Sequence, residues 1–129
     1  MKEFKAVLSA TAVTTVNESN FARTVKSGNL NVFSTPMMIA LMEEATCKAC
    51  QSLIDEGETT VGTKISITHD KADGAGKVIT AEAKLTDVDG RRLFFNVCAK
   101  DDSGDCIGKG EIERFVVNTD KFMKRVNGQ

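Results

Sequence analysis

The chain has 129 residues and a formal net charge of −1, with 41% hydrophobic and 27% charged residues. That balance describes one soluble globular domain over residues 1–129, long enough to bury a real core. Acidic and basic residues interleave without a basic stripe, which excludes nucleic acid as the main partner. No apolar run approaches the roughly 18 residues of a membrane span.

The N-terminus has a weak likeness to a leader: Lys2 and Lys5 precede Ala6–Val13, and Ala10-Thr11-Ala12 imitates a small-residue cleavage site. Glu3 interrupts the basic region, however, and the run that follows is mostly Ala, Ser and Thr, too weakly apolar for a signal peptide. A first strand is expected over Phe4–Val16, rich in Val, Ala and Thr. A polar stretch, Asn17–Asn29, comes next. Thr35-Pro36 then opens a long helix, Pro36–Glu56, with Thr35 as its N-cap and Gly57 at the position of a C-terminal glycine.

After Gly57 the hydrophobic period changes to two. Strands are expected over Thr60–His69, Lys77–Val88, Arg91–Lys100 and Ile107–Val117. Asp89-Gly90 between alternating runs is a strong hairpin signal. Asp73-Gly74-Ala75-Gly76 and Asp102-Ser103-Gly104-Asp105 read as longer turns. Gly74-Ala75-Gly76-Lys77 lacks the spacing of a phosphate loop and joins two strands, so it is a turn. One strand, one long helix and an antiparallel meander make an α+β fold, with a curved sheet wrapped around the helix. The sheet's other face also wants a cover, which points to a dimer.

The four cysteines do not spell a metal site. Cys47 and Cys50 share a helix face, while Cys98 and Cys106 are too far apart in sequence for a zinc knuckle. Four reduced thiols suit a cytoplasmic protein, and no metal is expected.

Three side chains carry chemistry. On the helix, Glu44, Lys48, Gln51 and Asp55 form a polar stripe, and Met42, Thr46, Ala49 and Leu53 a core stripe. Glu43 belongs to neither: it projects among Ile39, Cys50 and Ile54, where a carboxylate loses hydration and wants a partner for its charged form. Thr35 is explained by capping alone, yet it also stands at a helix N-terminus able to hold an oxyanion. His69, the sole histidine, ends a strand on whose mostly apolar face Val61, Thr63, Ile65 and Ile67 also lie by alternation. It reads either as an interior imidazole or as a general acid–base. Gly62 on that strand marks a bulge or a close approach of ligand or backbone.

Thr35-Pro36-Met37-Met38-Ile39-Ala40-Leu41-Met42-Glu43, Thr60-Val61-Gly62-Thr63 with His69, Val88-Asp89-Gly90-Arg91-Arg92-Leu93-Phe94-Phe95 and Ile107-Gly108-Lys109-Gly110 with Glu113-Arg114 together resemble the fluoroacetyl-CoA-specific thioesterase family of hot-dog proteins. The resemblance implies a hot-dog fold, a homodimer with acyl-CoA sites at or near its interface, and hydrolysis of a small or medium acyl-CoA without a separate cofactor. It implies catalytic roles for Thr35, Glu43 and His69, and a site-lining role for Gly62. Glu43 would be the nucleophile or the base for water, His69 the proton-transfer partner, and Thr35 a hydrogen-bond donor to Glu43 or the carbonyl. Alternatives within the fold are a non-catalytic acyl-CoA-binding module and an acyl-thioester hydratase or dehydratase. One departure stands out. Arg23–Asn29 holds no aromatic where the fluoroacetate enzyme is expected to carry an aromatic lid, although Phe21 and Phe33 flank it; this implies a different acyl group, with Phe33 a candidate substrate contact.

Overall fold

The computed structural model describes residues 1–129. Five strands form one antiparallel sheet: β1 (Leu8–Thr15), β2 (Glu58–His69), β3 (Val78–Asp89), β4 (Arg92–Asp101) and β5 (Cys106–Asn118). Their spatial order is β1-β3-β4-β5-β2, which leaves β1 and β2 as the edges. Three α-helices, α1 (Ala22–Val25), α2 (Thr35–Ala49) and α3 (Thr119–Val126), and a 3-10 turn at Glu18–Asn20 complete the chain. No helix is long and apolar enough to cross a membrane.

Helix α2 is the sheet's inner filling. Met38, Leu41, Met42, Ala45, Thr46 and Ala49 recur at helical spacing and are buried. They meet the inward positions of β3, β4 and β5, including Ile79, Ala81, Ala83, Leu85, Leu93, Phe95 and Ile112. The alanines of β3 let the helix lie close to the strands. Opposite, Glu44 and Lys48 form the exposed i,i+4 pair at 3.3 Å. The wrapped-helix plan expected from the pattern is thus present.

Three boundaries differ from expectation. The helix ends at Ala49, not Glu56: Cys50 to Leu53 tighten into turns that bury Leu53, and Lys2 N–H donates to the Leu53 carbonyl at 2.6 Å. The N-terminus lies over this segment, with the Met1 ammonium paired to Asp55 and Glu58. For the same reason β1 begins at Leu8 and not at Phe4. Gly57 still makes its turn, with φ of 82°, but as the entry to β2. The third difference is α3, which continues directly from β5. Asn118 caps it by accepting from Lys121 N–H at 3.0 Å, and Asp120 sits in its first turn.

The Asp89-Gly90 hairpin forms as read, with Asp89 opposite Arg92 and Gly90 at φ of 62°. Strand β2 is less regular. Its pairing to β5 shifts between Gly62 and Lys64, so Thr63 is an extra residue, its hydroxyl donating to the Glu113 carbonyl at 3.2 Å. Simple alternation therefore fails for Val61 and Thr63. Thr60 and Gly62 lie opposite the inward Val116 and Arg114, and Ile65 and His69 lie opposite Ile112 and Gly108. The bulge turns Gly62 to the same face as His69.

Candidate active site

The loop before α2 folds back on α1. Ala22 N–H donates to the Val32 carbonyl at 2.8 Å and Arg23 N–H to Leu30 at 3.1 Å, so Phe21–Phe33 is a backbone-paired flap. Ser34 caps α2, its hydroxyl accepting from Met37 N–H at 3.3 Å. The cap is one residue earlier than the sequence suggested, and Thr35 is the first helical residue. This releases the Thr35 hydroxyl, which lies 2.7 Å from His69 Nδ1. The tautomer decides which of the two donates.

His69 Nε2 is buried without a hydrogen-bond partner. Burial pushes the imidazole below its ordinary pKa, against weaker upward pulls from the Lys71 backbone and the Asp70 carboxylate. A neutral ring with one nitrogen anchored and the other unmatched is suited to proton transfer. Thr35 and His69 line a cavity of about 340 Å³ whose other walls include Ser27, Asn29, Leu30 and Phe33. Phe33 is only 1% exposed and belongs to the core as well, its N–H donating to the Asp73 carbonyl at 2.8 Å.

Glu43 does not touch this pair. It is eight residues beyond Thr35 on α2, about 12 Å along the axis. Its Oε2 accepts from Arg114 at 2.9 Å, and Arg114 is fixed in turn by Thr60, through the hydroxyl at 2.9 Å and the carbonyl at 3.0 Å. The guanidinium is the partner that a carboxylate in a half-buried position needs. Gly62 stands against this ion pair: a Cβ there would come within 2.6 Å of Glu43 Oε2. Within one chain the expected site residues thus form two groups, Thr35–His69 with Phe33, and Glu43 with Gly62.

Arg114 and Thr60 stood among the residues of the family resemblance but were given no role from the sequence. The signal for Arg114 was its place among inward positions of β5, between Ile112 and Val116, where a lone charge demands a counter-charge.

A third cluster braces the end of β2. The Ile107 carbonyl accepts from Asp70 N–H at 2.7 Å. Lys71 Nζ lies 2.6 Å from Asp101 and 2.7 Å from Asp105. Asp101 also receives the Ser103 and Asp105 amides, which with Lys71 hold it well below the usual carboxylate range. Burial and the neighbouring Asp101 push Asp73 up to about 6, and its Oδ2 is buried without a hydrogen-bond partner. Lys71 is therefore fully engaged, as are Arg91 with Glu58 at 3.2 Å and Lys64 with Glu113 at 3.7 Å.

Comparison with known proteins places the chain in a family. The fluoroacetyl-CoA-specific thioesterase family model matches residues 16–120. The fluoroacetyl-CoA thioesterase of Streptantibioticus cattleyicolor is 41% identical over 95 residues, 74% of this chain and 68% of that protein. The solved fluoroacetyl-CoA thioesterase FlK superposes with a TM-score of 0.91 at 31% identity, covering 99% of this chain and 98% of that one. A mutant of that enzyme in complex with acetyl-CoA gives a TM-score of 0.90 at 31% identity over 97% and 98% of the two chains. On sequence and on fold together, the chain belongs to the fluoroacetyl-CoA-specific thioesterase family, with the hot-dog fold.

Proposed function

We propose that this protein hydrolyses a small or medium acyl-CoA to the free acid and CoA, with Thr35, Glu43 and His69 as its catalytic residues. The observation that carries the reading is the Thr35–His69 contact at 2.7 Å beside a cavity, with the second imidazole nitrogen unmatched, in a chain of a thioesterase family. The named relatives are thioesterases, and one was solved with acetyl-CoA, which favours hydrolysis over the binding-module and hydratase alternatives. No aromatic side chain lies in Arg23–Asn29, where the cavity wall is Ser27, Gly28 and Asn29, and Phe33 is the one aromatic in the lining, which supports an acyl group other than fluoroacetyl.

A homodimer would bring Glu43 and His69 together. Strand β2 is an edge with unpaired backbone groups, and Ile65 on its inward face is 41% exposed. Antiparallel pairing of two β2 edges about a two-fold axis between Ile65 and Ser66 would bring His69 of one protomer opposite Gly62 of the partner subunit, and so toward Glu43 of the partner subunit. There the carboxylate attacks the thioester carbonyl or activates water. His69 Nε2 passes a proton to or from the reacting atoms, and Thr35 orients the ring. Pro36 has no N–H, and Met37 N–H is taken by Ser34, which leaves Thr35 N–H as the helix-end donor for an oxyanion. No bound cofactor takes part; CoA is the leaving group. The chain acts as one domain in the cytoplasm.

Free-thiol release from a panel of acyl-CoAs tests this. Wild type should hydrolyse one chain-length class, and Glu43→Gln and His69→Ala should each lose on the order of 10²-fold or more in kcat/KM. Equal rates in wild type and both variants would refute the assignment.

A further inference from the structure

Cys98 and Cys106 are unremarkable in sequence, eight residues apart across a turn, and they play no part in the proposed hydrolysis. In the fold they meet. Cys98 on β4 and Cys106 at the start of β5 bring their Sγ atoms within 3.3 Å. Both lie on the outer face of the sheet, Cys106 exposed and Cys98 half-buried. The approach is made possible by the register shift between Ala99 and Lys100, which sets Cys106 opposite Lys100 while Cys98 stands opposite Lys109. Each thiol therefore has an exposed lysine across from it on the neighbouring strand.

We propose that Cys98 and Cys106 form a redox-active dithiol that an anionic low-molecular-weight disulfide, such as oxidised glutathione, converts into an intrachain disulfide. The gap must close from 3.3 Å to about 2 Å, a movement of about an ångström beside a turn and a bulge. Lys100 and Lys109, both exposed, favour the approach of an anionic oxidant. The order of events follows from exposure. Cys106 loses its proton to solvent and attacks one sulfur of the oxidant, expelling the first glutathione thiolate. Cys98, shielded and raised to about 11 by burial and by Cys106, is the resolving thiol. It gives up its proton, attacks Cys106 Sγ and expels the second glutathione. Two protein thiols are oxidised to one disulfide as one oxidised glutathione is reduced to two thiols.

The bond would also have a position that matters. Cys106 lies between Asp105, which holds Lys71, and Ile107, whose carbonyl holds Asp70 and Lys71 behind His69. A staple there ties β4 to the strand end that braces the imidazole.

Cys47 and Cys50 supply the internal control. Cys47 is exposed, while Cys50 is buried with its Sγ turned to the Cys47 carbonyl at 3.6 Å. The full chain is incubated with oxidised glutathione, quenched with an alkylating agent and mapped by mass spectrometry; Lys100 and Lys109 provide tryptic cuts that separate the two cysteine peptides unless they are linked. The expected result is a Cys98–Cys106 cross-linked peptide with loss of two hydrogens, reversed by dithiothreitol, and a simple glutathione adduct on Cys47. Cys98→Ser should trap glutathione on Cys106, and Cys106→Ser should leave Cys98 alkylated. A stable glutathione adduct on wild-type Cys106 with Cys98 still alkylated would overturn the proposal. So would glutathione on Cys47 with both Cys98 and Cys106 untouched.

Discussion

The two ends of β2 hold two different kinds of polar pair. At its C-terminal end, His69 meets Thr35 in a pairing that leaves Nε2 buried and unmatched. Near its start, Gly62 makes room for Glu43 to meet Arg114, and Arg114 is itself tied to Thr60 at two points. The first pair has unused hydrogen-bonding capacity and a ring held neutral by burial. The second holds the Glu43 carboxylate against a fixed cation. These are the opposite environments that the proposed roles call for, a proton carrier at His69 and an attacking group at Glu43, and a strand with a bulge lies between them.

The sharpest way to break the contrast is to remove the cation. Arg114→Met leaves Glu43 half-buried without its counter-charge, and should lower stability by about 1–3 kcal/mol, the lower part of the range for broken ion pairs because Glu43 is partly hydrated. Thermal or denaturant unfolding reads this, and combining it with Glu43→Gln should recover part of the loss. Next in size is Gly62→Ala. Its Cβ would meet Glu43 Oε2 at 2.6 Å, so the carboxylate must move. The fold should survive, while kcat falls by roughly tenfold through misplacement of the attacking group. Steady-state kinetics beside a melting curve separate the two effects.

At the other end, Thr35→Val removes the hydroxyl but keeps the shape and the Ser34 cap. Its kcat should fall by about tenfold, with Thr35→Ser close to wild type; equal loss in both variants would point to packing, not to the hydrogen bond. The smallest effect concerns Asp73. Its folded pKa of about 6 lies above that of the unfolded chain, so the native state binds more protons in between. Stability from this group is then present at low pH and is lost as pH rises from about 4 to 6. Asp73→Asn keeps a donor toward Asp101 at every pH. Its melting temperature relative to wild type should therefore be higher at pH 8 than at pH 4.5.

Much of this contrast was written in local pattern. The Thr35-Pro36 start, the Asp89-Gly90 hairpin and the alternating runs led to the wrapped-helix fold because each depends on neighbours in sequence. The misreadings came from contacts made at a distance. Helix α2 stops at Ala49, and Lys2, from the far end of the chain, takes the Leu53 and Ile54 carbonyls beyond it. The bulge at Thr63 reverses which side chains of β2 face inward, so Gly62, and not Val61, joins His69. Arg114 reaches Glu43 across 71 residues of sequence, and no periodicity marks that pairing. Helix α3 had its cap signals, Asn118 and Asp120, but buries no side chain and so shows no core stripe.

On the proposed mechanism these two ends of β2 serve one reaction, met across a dimer. Mixing the inactive Glu43→Gln and His69→Ala proteins under conditions of subunit exchange tests it most directly. In a mixed dimer one of the two sites regains both groups. Random exchange should therefore restore acyl-CoA hydrolysis to about a quarter of the wild-type rate. Activity that stays at the level of the separate variants, in mixtures shown to contain heterodimer, would contradict a site shared between subunits.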